Sequence, residues 1–342
     1  MARSKLKNIF SNTLLVLIST ILSISILEFS VRKIFPIYDP CGILKYKYYP
    51  QDNVVLSIKN FSGRQWISSG DYNVSVSINK YGFRDKHDLI TSERKDYFVV
   101  GDSFSFGHGV EERARFSNLI EKDLGVSVYN ISSPGNLIHY KNLIDYSRKK
   151  GAKVKNIIVG VCMENDLEDY RNTNYEEYRS NTSKSPFSNF KEWLKLNSAV
   201  YNAFATTIQR NEFLRNTAIK LGIAVHTYGI INAAYSDEAL SSSVEKLNEI
   251  CLPYNAAIII IPSRALWVGN HKDQESLIHK KFVTMLKKKG LKVIDLRAYF
   301  EKNGYPMCYY FKNDAHWNTQ GHKLAARAIV DYISNSALGG RK

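Results

Sequence analysis

Two short segments, far apart in the chain, carry side chains that could together activate a serine. Ser103 lies just after the apolar run 97–100, whereas Asp314 and His316 lie near the C-terminus, directly before a segment with a helical pattern. A serine hydroxyl does not ionise near pH 7, so an imidazole must accept its proton and a carboxylate must hold that imidazole in the correct tautomer. We therefore predict that Ser103, His316 and Asp314 form a catalytic group.

The sequence around Ser103 is not the Gly-x-Ser-x-Gly elbow of α/β-hydrolases. Ser103 stands in Gly-Asp-Ser, and three further blocks follow it in the chain, two of them directly after apolar runs. Their marker residues are Gly135 in the second block, Asn165-Asp166 in the third, and Asp314-x-His316-Trp317-Asn318-x-x-Gly321-His322 in the last. This order of blocks resembles the SGNH (GDSL-type) hydrolases, an esterase and acyltransferase superfamily. The last block resembles that of membrane-anchored members linked to polysaccharide acylation.

The resemblance covers roughly residues 79–335, and it implies an oxyanion site as well as a nucleophile. Its donors would be the N–H groups of Ser103 and Gly135 and the side-chain amide of Asn165. Removing one such donor typically slows an enzyme by ~10²–10³. One position departs from the family pattern, because Met163 stands where a glycine is expected two residues before Asn165. We therefore expect this loop to have a different shape here.

The remaining pattern of the chain predicts an α/β fold. Strands are expected at 96–100, 126–130, 155–161, 256–262 and 291–295, and helices at 112–124, 137–150, 239–253, 274–289 and 319–335. Alternation of this kind is typical of a parallel sheet with helices on both faces. The resemblance implies the flavodoxin-like, three-layer α/β/α arrangement of SGNH proteins. Active sites of such sheets lie at the carboxyl ends of the strands, where all four blocks fall.

The N-terminus predicts a membrane anchor. Residues 8–27 contain no charge, and at ~1.5 Å per residue they span ~30 Å, the thickness of a bilayer core. The stretch is longer than a usual signal h-region and lacks a clear Ala-x-Ala site, which favours an uncleaved anchor over a cleaved signal. Basic residues at positions 3, 5 and 7 favour a cytoplasmic N-terminus, although Arg32 and Lys33 weaken the contrast. The rest of the chain would then lie outside the cytoplasm.

Composition and charge restrict the other possibilities. The chain has 47 basic and 32 acidic residues, a net charge of +15, but no nucleic-acid-binding motif. Its basic clusters at 148–150 and 287–289 are expected at helix C-termini, where cations are favourable. The four cysteines have neither disulfide-framework nor zinc spacing, and we expect no metal and no cofactor. His108 is expected at the surface or in a turn, and His139 could line the site.

We expect an anchor over 1–35, a β-rich juxtamembrane segment over 36–78 and a catalytic domain over 79–338. In the juxtamembrane segment, residues 54–58 and 72–78 alternate in places between apolar and polar residues, as strands do.

An insertion over 167–238, rich in tyrosine and charge, could form a lid, an acceptor-binding wall or a mobile surface segment. Its residues 197–221 have a helical pattern. The predicted activity is that of an ester hydrolase or an O-acyltransferase, favouring O-acetyl transfer to a cell-surface glycan with a membrane-embedded acyl donor partner. The alternative from another class is a non-catalytic glycan-binding or scaffold protein.

Overall fold

The computed structural model describes residues 2–171, 186–223, 235–302 and 304–339. These residues divide into two compact units. The smaller unit contains residues 2–43, 68–70 and 186–223. The larger unit contains the remaining described residues, including all four sequence blocks.

Two antiparallel hairpins open the larger unit. The first pairs β1 (Tyr46–Tyr49) with β2 (Val54–Ser57), and the second pairs β3 (Ser62–Trp66) with β4 (Asn73–Ser77). Strands β2 and β4 were expected from their alternating pattern, whereas β1 and β3 were not. Val54 and Leu56 of β2 are buried in the main core, so the hairpin region packs as part of the larger unit.

The main sheet has five parallel strands in the order β6-β5-β7-β8-β9. The strands are β5 (Tyr97–Val100), β6 (Val128–Asn130), β7 (Asn156–Cys162), β8 (Asn255–Ile261) and β9 (Val293–Asp295). All five lie within two residues of the predicted bounds. Residues 157–162 of β7 are buried on both faces, which is why this strand reads as a continuous apolar run.

Eleven α-helices are found in the described part of the chain. They are α1 (Ala2–Ile34), α2 (Ser103–Phe106), α3 (Phe116–Leu124), α4 (Leu137–Lys149), α5 (Pro186–Asn197), α6 (Ala199–Arg210), α7 (Glu212–Lys220), α8 (Asp237–Cys251), α9 (Lys272–Lys288), α10 (Arg297–Lys302) and α11 (Thr319–Gly339). The sheet separates two hydrophobic cores, and successive residues of a strand face one core or the other. Phe98 and Val100 pack in the core that contains α4, α8 and α9, and Val99 packs in the core that contains α3 and α11. The predicted three-layer α/β/α fold is confirmed.

Helix α1 contains the predicted apolar stretch. Residues Phe10–Ile34 have a mean hydropathy of 2.3, and none of their most apolar stretch is buried. By length and composition this helix could be a membrane span or a signal sequence. Helices α5, α6 and α7 account for the predicted helical part of the insertion, whereas its residues 172–185 and 224–234 lie outside the described residues.

Candidate active site

Ser103 is the first residue of α2, at the point where β5 leaves the sheet. The turn is closed by Asp102, whose side chain caps α2 by accepting a hydrogen bond from the Phe104 N–H at 2.9 Å. The N–H of Ser103 itself has no acceptor among the described residues. Because it is one of the unpaired donors at a helix start, it is available to an anionic oxygen.

The turn before Ser103 requires a residue without a side chain. A Cβ on Gly101 would lie 2.3 Å from Ser105 Oγ and 2.9 Å from the Gly160 carbonyl oxygen. Ser105 is fully buried between these two glycines. Gly101 directly follows β5, and Gly160 lies near the carboxyl end of the neighbouring strand β7. The glycine of the Gly-Asp-Ser block is therefore explained by close packing under the serine.

Asp314 and His316 meet through a tight turn of the last block. Asp314 Oδ1 accepts a hydrogen bond from the His316 backbone N–H at 3.0 Å and contacts His316 Nδ1 at 2.5 Å. This is an Asx-turn, the curled backbone that two side chains only two residues apart need in order to meet. The other ring nitrogen of His316, Nε2, lies 2.8 Å from Ser103 Oγ.

These contacts define the proton positions of the group. Since an ionised carboxylate only accepts, His316 Nδ1 carries the proton toward Asp314, and Nε2 is left to accept from the serine hydroxyl. Burial alone would raise the pKa of Asp314. The hydrogen bonds and charge of His316, together with the charge of His108, outweigh that effect and lower the pKa of Asp314 to about 2.

The loop that carries His316 is held on both sides. The Phe311 N–H donates to the His316 carbonyl oxygen at 3.0 Å, and the Asn318 side-chain amide donates to the carbonyl oxygens of Cys308 and Tyr310. Asn318 Oδ1 also accepts from the backbone N–H groups of residues 320 and 321, so Asn318 caps the start of α11. These hydrogen bonds fix the position of the loop and therefore the position of the His316 imidazole.

Gly135 presents a second unpaired N–H group at the end of the loop before α4. Within the described ranges no acceptor takes this N–H. A Cβ at position 135 would lie 2.2 Å from His139 Nδ1, so the glycine allows the buried His139 ring to pack directly against the backbone. His139 Nε2 accepts from the Val55 N–H at 3.0 Å. Burial lowers the pKa of His139 to about 3, so it is a neutral packing residue.

The third block forms a closed turn with Asn165 exposed on it. The N–H groups of Asn165 and Asp166 both donate to the Cys162 carbonyl oxygen, and Asp166 Oδ2 accepts from the Cys162 N–H at 2.7 Å. Met163, at the position of the expected glycine, donates its N–H to Ile261 and buries its side chain completely. The hydrogen bond from the Met163 N–H to the Ile261 carbonyl oxygen extends the β7–β8 ladder by one residue.

Behind Ser103 lie two buried carboxyl groups, Asp102 and Asp166. Burial raises the pKa of Asp102 to about 6, although the positive charge of His316, backbone N–H groups and the Asn165 amide act in the opposite direction. Burial and the charge of Asp102 raise the pKa of Asp166 well above its usual range, and both its oxygens contact the Tyr140 hydroxyl at 2.9 Å. Neither carboxyl was recognised in the sequence as an electrostatic neighbour of the serine.

His108 lies in a turn, as expected, and it also contacts the candidate site. Its ring stacks on His316 with centroids 4.1 Å apart, while Nδ1 lies 2.8 Å from Gln65 Nε2 and Nε2 lies 2.7 Å from the Tyr72 hydroxyl. The Gly109 N–H donates to Gln65 Oε1 at 2.9 Å, which turns the amide NH₂ toward His108. His108 Nδ1 is therefore an acceptor, and its proton lies on Nε2.

This arrangement links His108 to the carboxylate of the last block. Tyr72 also hydrogen-bonds Asp314, and burial, followed by the charge of Asp314, raises the pKa of Tyr72 well above its usual range. Tyr72 is thus a neutral donor beside Asp314. Sequence reasoning missed Gln65 and Tyr72, because both lie on the hairpin region before the first block. His108, Asp314 and His316 also bring possible metal-ligand atoms within 4.8 Å of one another.

Known protein families and solved structures include some that are similar to this chain. A family model described as "SGNH hydrolase-like domain, acetyltransferase AlgX" matches residues 265–342, which include the last block. Similar solved structures include a lipolytic G-D-S-L family protein from Veillonella parvula, with 11% identity, a TM-score of 0.39 and coverage of 70% of this chain and 98% of that chain. The lipase/acylhydrolase from Enterococcus faecalis has 14% identity, a TM-score of 0.39 and coverage of 70% and 96%.

A third structure is a carbohydrate esterase family 2 enzyme from Corynascus thermopiles, with 10% identity, a TM-score of 0.38 and coverage of 72% of this chain and 68% of that chain. The comparison with curated proteins finds no match. The family match and the fold support an activity of the esterase or acyltransferase type. The resemblance predicted from the four blocks is confirmed, and the chain is similar to the SGNH (GDSL-type) hydrolases.

Proposed function

We propose that this protein is a serine-dependent ester hydrolase or O-acyltransferase that works through an acyl-serine intermediate at Ser103. The single observation that carries the proposal is the line of contacts from Ser103 Oγ through His316 to Asp314, at 2.8 Å and 2.5 Å. A serine in hydrogen-bond contact with an imidazole that a carboxylate orients is the arrangement that activates a hydroxyl at neutral pH.

In the first half-reaction, Ser103 Oγ attacks the acyl carbonyl carbon while His316 Nε2 accepts the hydroxyl proton. The negative charge that develops on the carbonyl oxygen is stabilised by the N–H groups of Ser103 and Gly135 and by the Asn165 amide. Collapse of the tetrahedral intermediate breaks the ester bond, and His316 gives its proton to the leaving alcohol. The acyl group then remains on Ser103.

In the second half-reaction, an acceptor hydroxyl gives its proton to His316 and attacks the acyl-serine carbon. The bond from that carbon to Ser103 Oγ then breaks, and His316 returns the proton to the serine oxygen. Water as the acceptor makes the protein an esterase, and a sugar hydroxyl makes it an O-acyltransferase. We favour O-acetyl transfer to a glycan at the cell surface. The apolar helix α1 and the acetyltransferase description of the matching family model support this choice. A membrane-bound partner would supply the acyl group to a catalytic unit outside the cytoplasm.

The residues around Asp314 would position the group. Tyr72 donates a hydrogen bond to the Asp314 carboxylate, and His108 stacks on the imidazole of His316. Both restrict how His316 can rotate without touching the reacting atoms. Arg84 stabilises the turn that contains His108, since its guanidinium donates to the Gly107 and Val110 carbonyl oxygens at 2.7 Å each.

Fluorophosphonate labelling of the full-length protein in detergent tests the nucleophile. The modified peptide, located by mass spectrometry, is expected to contain Ser103, and labelling should disappear in Ser103→Ala and His316→Ala. Ser241→Ala and His271→Ala are matched controls, because both residues are exposed on the surface of the larger unit. Absence of labelling in a folded protein would contradict the proposal and favour the non-catalytic binding or scaffold alternative.

A partition experiment then distinguishes hydrolysis from transfer. Turnover of an activated acetyl ester is measured with and without added oligosaccharide acceptors, and the acceptors are analysed by mass spectrometry for a gain of one acetyl group. An O-acyltransferase gives acetylated acceptor that depends on Ser103. Production of free acetate alone, with every acceptor unmodified, would assign the hydrolase outcome.

A further inference from the structure

In the smaller unit, the end of the apolar helix is tied to the inserted helices by a carboxylate. Glu28 of α1 accepts hydrogen bonds from the Ala199 N–H at 2.7 Å, the Val200 N–H at 3.1 Å and the Ser198 hydroxyl at 2.9 Å. These donors form the N-terminus of α6, which otherwise has unpaired N–H groups and a partial positive charge. Glu28 therefore caps a helix that lies about 170 residues away in the sequence.

Arg32, one turn further along α1, completes the connection. Its guanidinium contacts Glu28 at 2.8 Å and Asp39 at 3.0 Å, and it donates to the Asn197 carbonyl oxygen at 2.7 Å. The end of α5 is thereby held at the same level as the start of α6. We call the group Glu28, Arg32 and Asp39 the latch.

The position of the latch along α1 indicates how deep the latch would lie in a membrane. Residues 8–27 are uncharged and match the ~30 Å of a bilayer core, and Glu28 is the first charged residue after them. If this stretch crosses the membrane, Glu28 and Arg32 lie at the headgroup level. The ends of α5 and α6 that contact them within about 3 Å must then lie there too.

The inserted helices expose the side chains that a membrane interface accepts. Seven large apolar residues of this short segment are at least one third exposed: Phe190, Trp193, Phe204, Phe213, Leu214, Leu221 and Ile223. The much longer larger unit exposes only six among its described residues. The Phe190 and Trp193 rings stack with centroids 6.1 Å apart on the outer surface of α5. Aromatic residues of this kind are enriched at membrane–water interfaces.

The charge of the same segment suits an anionic lipid surface. Residues 186–223 contain five basic side chains and two acidic ones. The basic residues are Lys191, Lys195, Arg210, Arg215 and Lys220. Interfacial helices combine exposed apolar residues with basic residues in this way, and they bind by apolar burial together with attraction to anionic headgroups.

We propose that α5, α6 and α7 form a membrane-interface platform, with their exposed apolar side chains inserted at the boundary between headgroups and acyl chains. The proposal rests on the single-span anchor of the proposed function, and it also implies that α1 is retained. Cleavage of α1 as a signal sequence would remove Glu28 and Arg32 from the latch and leave the Ala199 and Val200 N–H groups of α6 without their acceptor.

Trp193 offers a direct test in the full-length protein. The protein is reconstituted in vesicles of phosphatidylcholine and phosphatidylglycerol whose acyl chains carry bromine near the headgroup, a short-range quencher of tryptophan emission. Emission of the unmodified chain should be quenched, and this quenched component should be lost in Trp193→Phe. The other three tryptophans supply the background that Trp193→Phe retains: Trp66 and Trp317 are buried, and Trp267 is half-buried in the larger unit. Equal quenching of the two proteins would overturn the platform.

Alkaline extraction and intact-mass measurement separate this outcome from failure of the anchor. A full-length protein that stays in the membrane, but whose Trp193 is not quenched, would overturn the platform and leave the anchor in place. A shortened protein released from the membrane would overturn both. Vesicles of phosphatidylcholine alone should give weaker quenching, since they lack the anionic headgroups.

The latch is tested by a matched pair of neighbouring basic residues. Arg32→Ala removes the contacts to Glu28, Asp39 and Asn197, whereas Lys33→Ala removes an ammonium that lies over the Phe29 ring. Both variants lose one positive charge at the same depth. We expect reduced Trp193 quenching in Arg32→Ala and unchanged quenching in Lys33→Ala. The same quenching in both variants would show that the latch does not hold the platform.

Discussion

The two units of the molecule differ in the groups that they bury and the groups that they expose. The larger unit buries charged groups around the candidate site and pairs them, as Arg84 is paired with backbone carbonyl oxygens. The smaller unit leaves large apolar groups uncovered, as Phe213 is, with 77% of its surface exposed. Burying a charge is unfavourable unless it is compensated, and exposing an apolar surface is unfavourable unless something covers it.

From this difference we expect the two units to have different roles. In the larger unit, hydrogen bonds hold Ser103, His316 and Asp314 in contact, so substitutions there should change the rate of the proposed reaction. In the smaller unit, exposed apolar side chains are available to a lipid surface, so substitutions there should change location. Each prediction below would either sharpen this separation or break it.

The largest effect is expected for the nucleophile and its base. Ser103→Ala and His316→Ala should each lower kcat for an activated ester by ~10⁴-fold or more, because the first removes the proposed nucleophile and the second removes the group that accepts its proton. The control Ser241→Ala should retain full activity. The measurement is steady-state hydrolysis by each purified protein, with thermal unfolding to verify folding. A Ser103→Ala protein with more than a few per cent of normal turnover would exclude this serine as the nucleophile.

A smaller loss is expected at the oxyanion donor of the third block. Asn165→Ala should lower kcat by ~10²–10³ with little change in KM, because its amide would act on charge that develops only in the transition state. The turn should survive, since it is closed by backbone contacts and by Asp166. Kinetics of Asn165→Ala and Asn165→Asp measure this effect. A KM effect without loss of kcat would assign Asn165 to substrate binding instead.

A still smaller loss is expected when the support of Asp314 is reduced. Tyr72→Phe keeps the ring that packs on Phe311 and removes the hydroxyl that contacts His108 and Asp314. One lost hydrogen bond to a charged group corresponds to roughly a tenfold decrease in kcat. Tyr305→Phe is the control, because Tyr305 is exposed. The pH profile of kcat/KM should also shift, whereas identical profiles for the two variants would exclude a positioning role for Tyr72.

The buried carboxyl group behind the serine should affect stability rather than rate. The pKa of Asp102 is raised to about 6 in the folded protein from an ordinary 3.8. The folded state therefore binds more protons, and the free energy of unfolding contributed by this group falls as pH rises from about 4 to about 6. Asp102→Asn keeps a side-chain oxygen to cap α2 and removes the ionisation. Urea unfolding across this pH range should show a flatter profile for the variant, and an unchanged slope would contradict the shift.

The smallest effect on catalysis is expected in the smaller unit. Phe213→Ser and Leu221→Ser should leave kcat for a soluble ester unchanged, because neither residue belongs to the unit that carries Ser103. The same variants should weaken association of the platform with vesicles. Hydrolysis assays and Trp193 quenching on the same preparations check both expectations. A large loss of kcat toward the soluble ester would break the proposed separation between the two units.

Several features of the candidate site could be predicted from the sequence because they are local. Gly101 and Gly135 precede helices at strand exits, and Asp314 and His316 are two residues apart, so short-range patterns contain them. His108 was correctly expected in a turn, but its contact with His316 was not predicted, and Gln65 and Tyr72 were missed. Their contacts join the hairpin region to the first and last blocks, and no spacing rule links positions 65, 72, 108 and 314.

The insertion shows the same limit. The sequence left open a lid, an acceptor-binding wall or a mobile surface segment, and it gave no sign that Tyr170 is buried, with its hydroxyl donating to the Asp166 carbonyl oxygen at 2.6 Å. Tyr175 and Tyr178 lie outside the described residues. The helical pattern of 197–221 was recognised correctly, since periodicity is a local property. Its attachment to Glu28 was not, because a cap supplied by another helix leaves no pattern in the capped segment.

The sequence by itself determined the parallel α/β fold, the four blocks and the long apolar helix, because each follows from hydrophobic periodicity, turn residues or composition over short stretches. Only the tertiary structure decided which side chains meet. It brought Ser103 to His316 across 213 positions, Tyr72 to Asp314, and Glu28 to the start of α6. The physical reason is that these contacts depend on how whole strands and helices pack, and the free energy of that packing is distributed over the entire core.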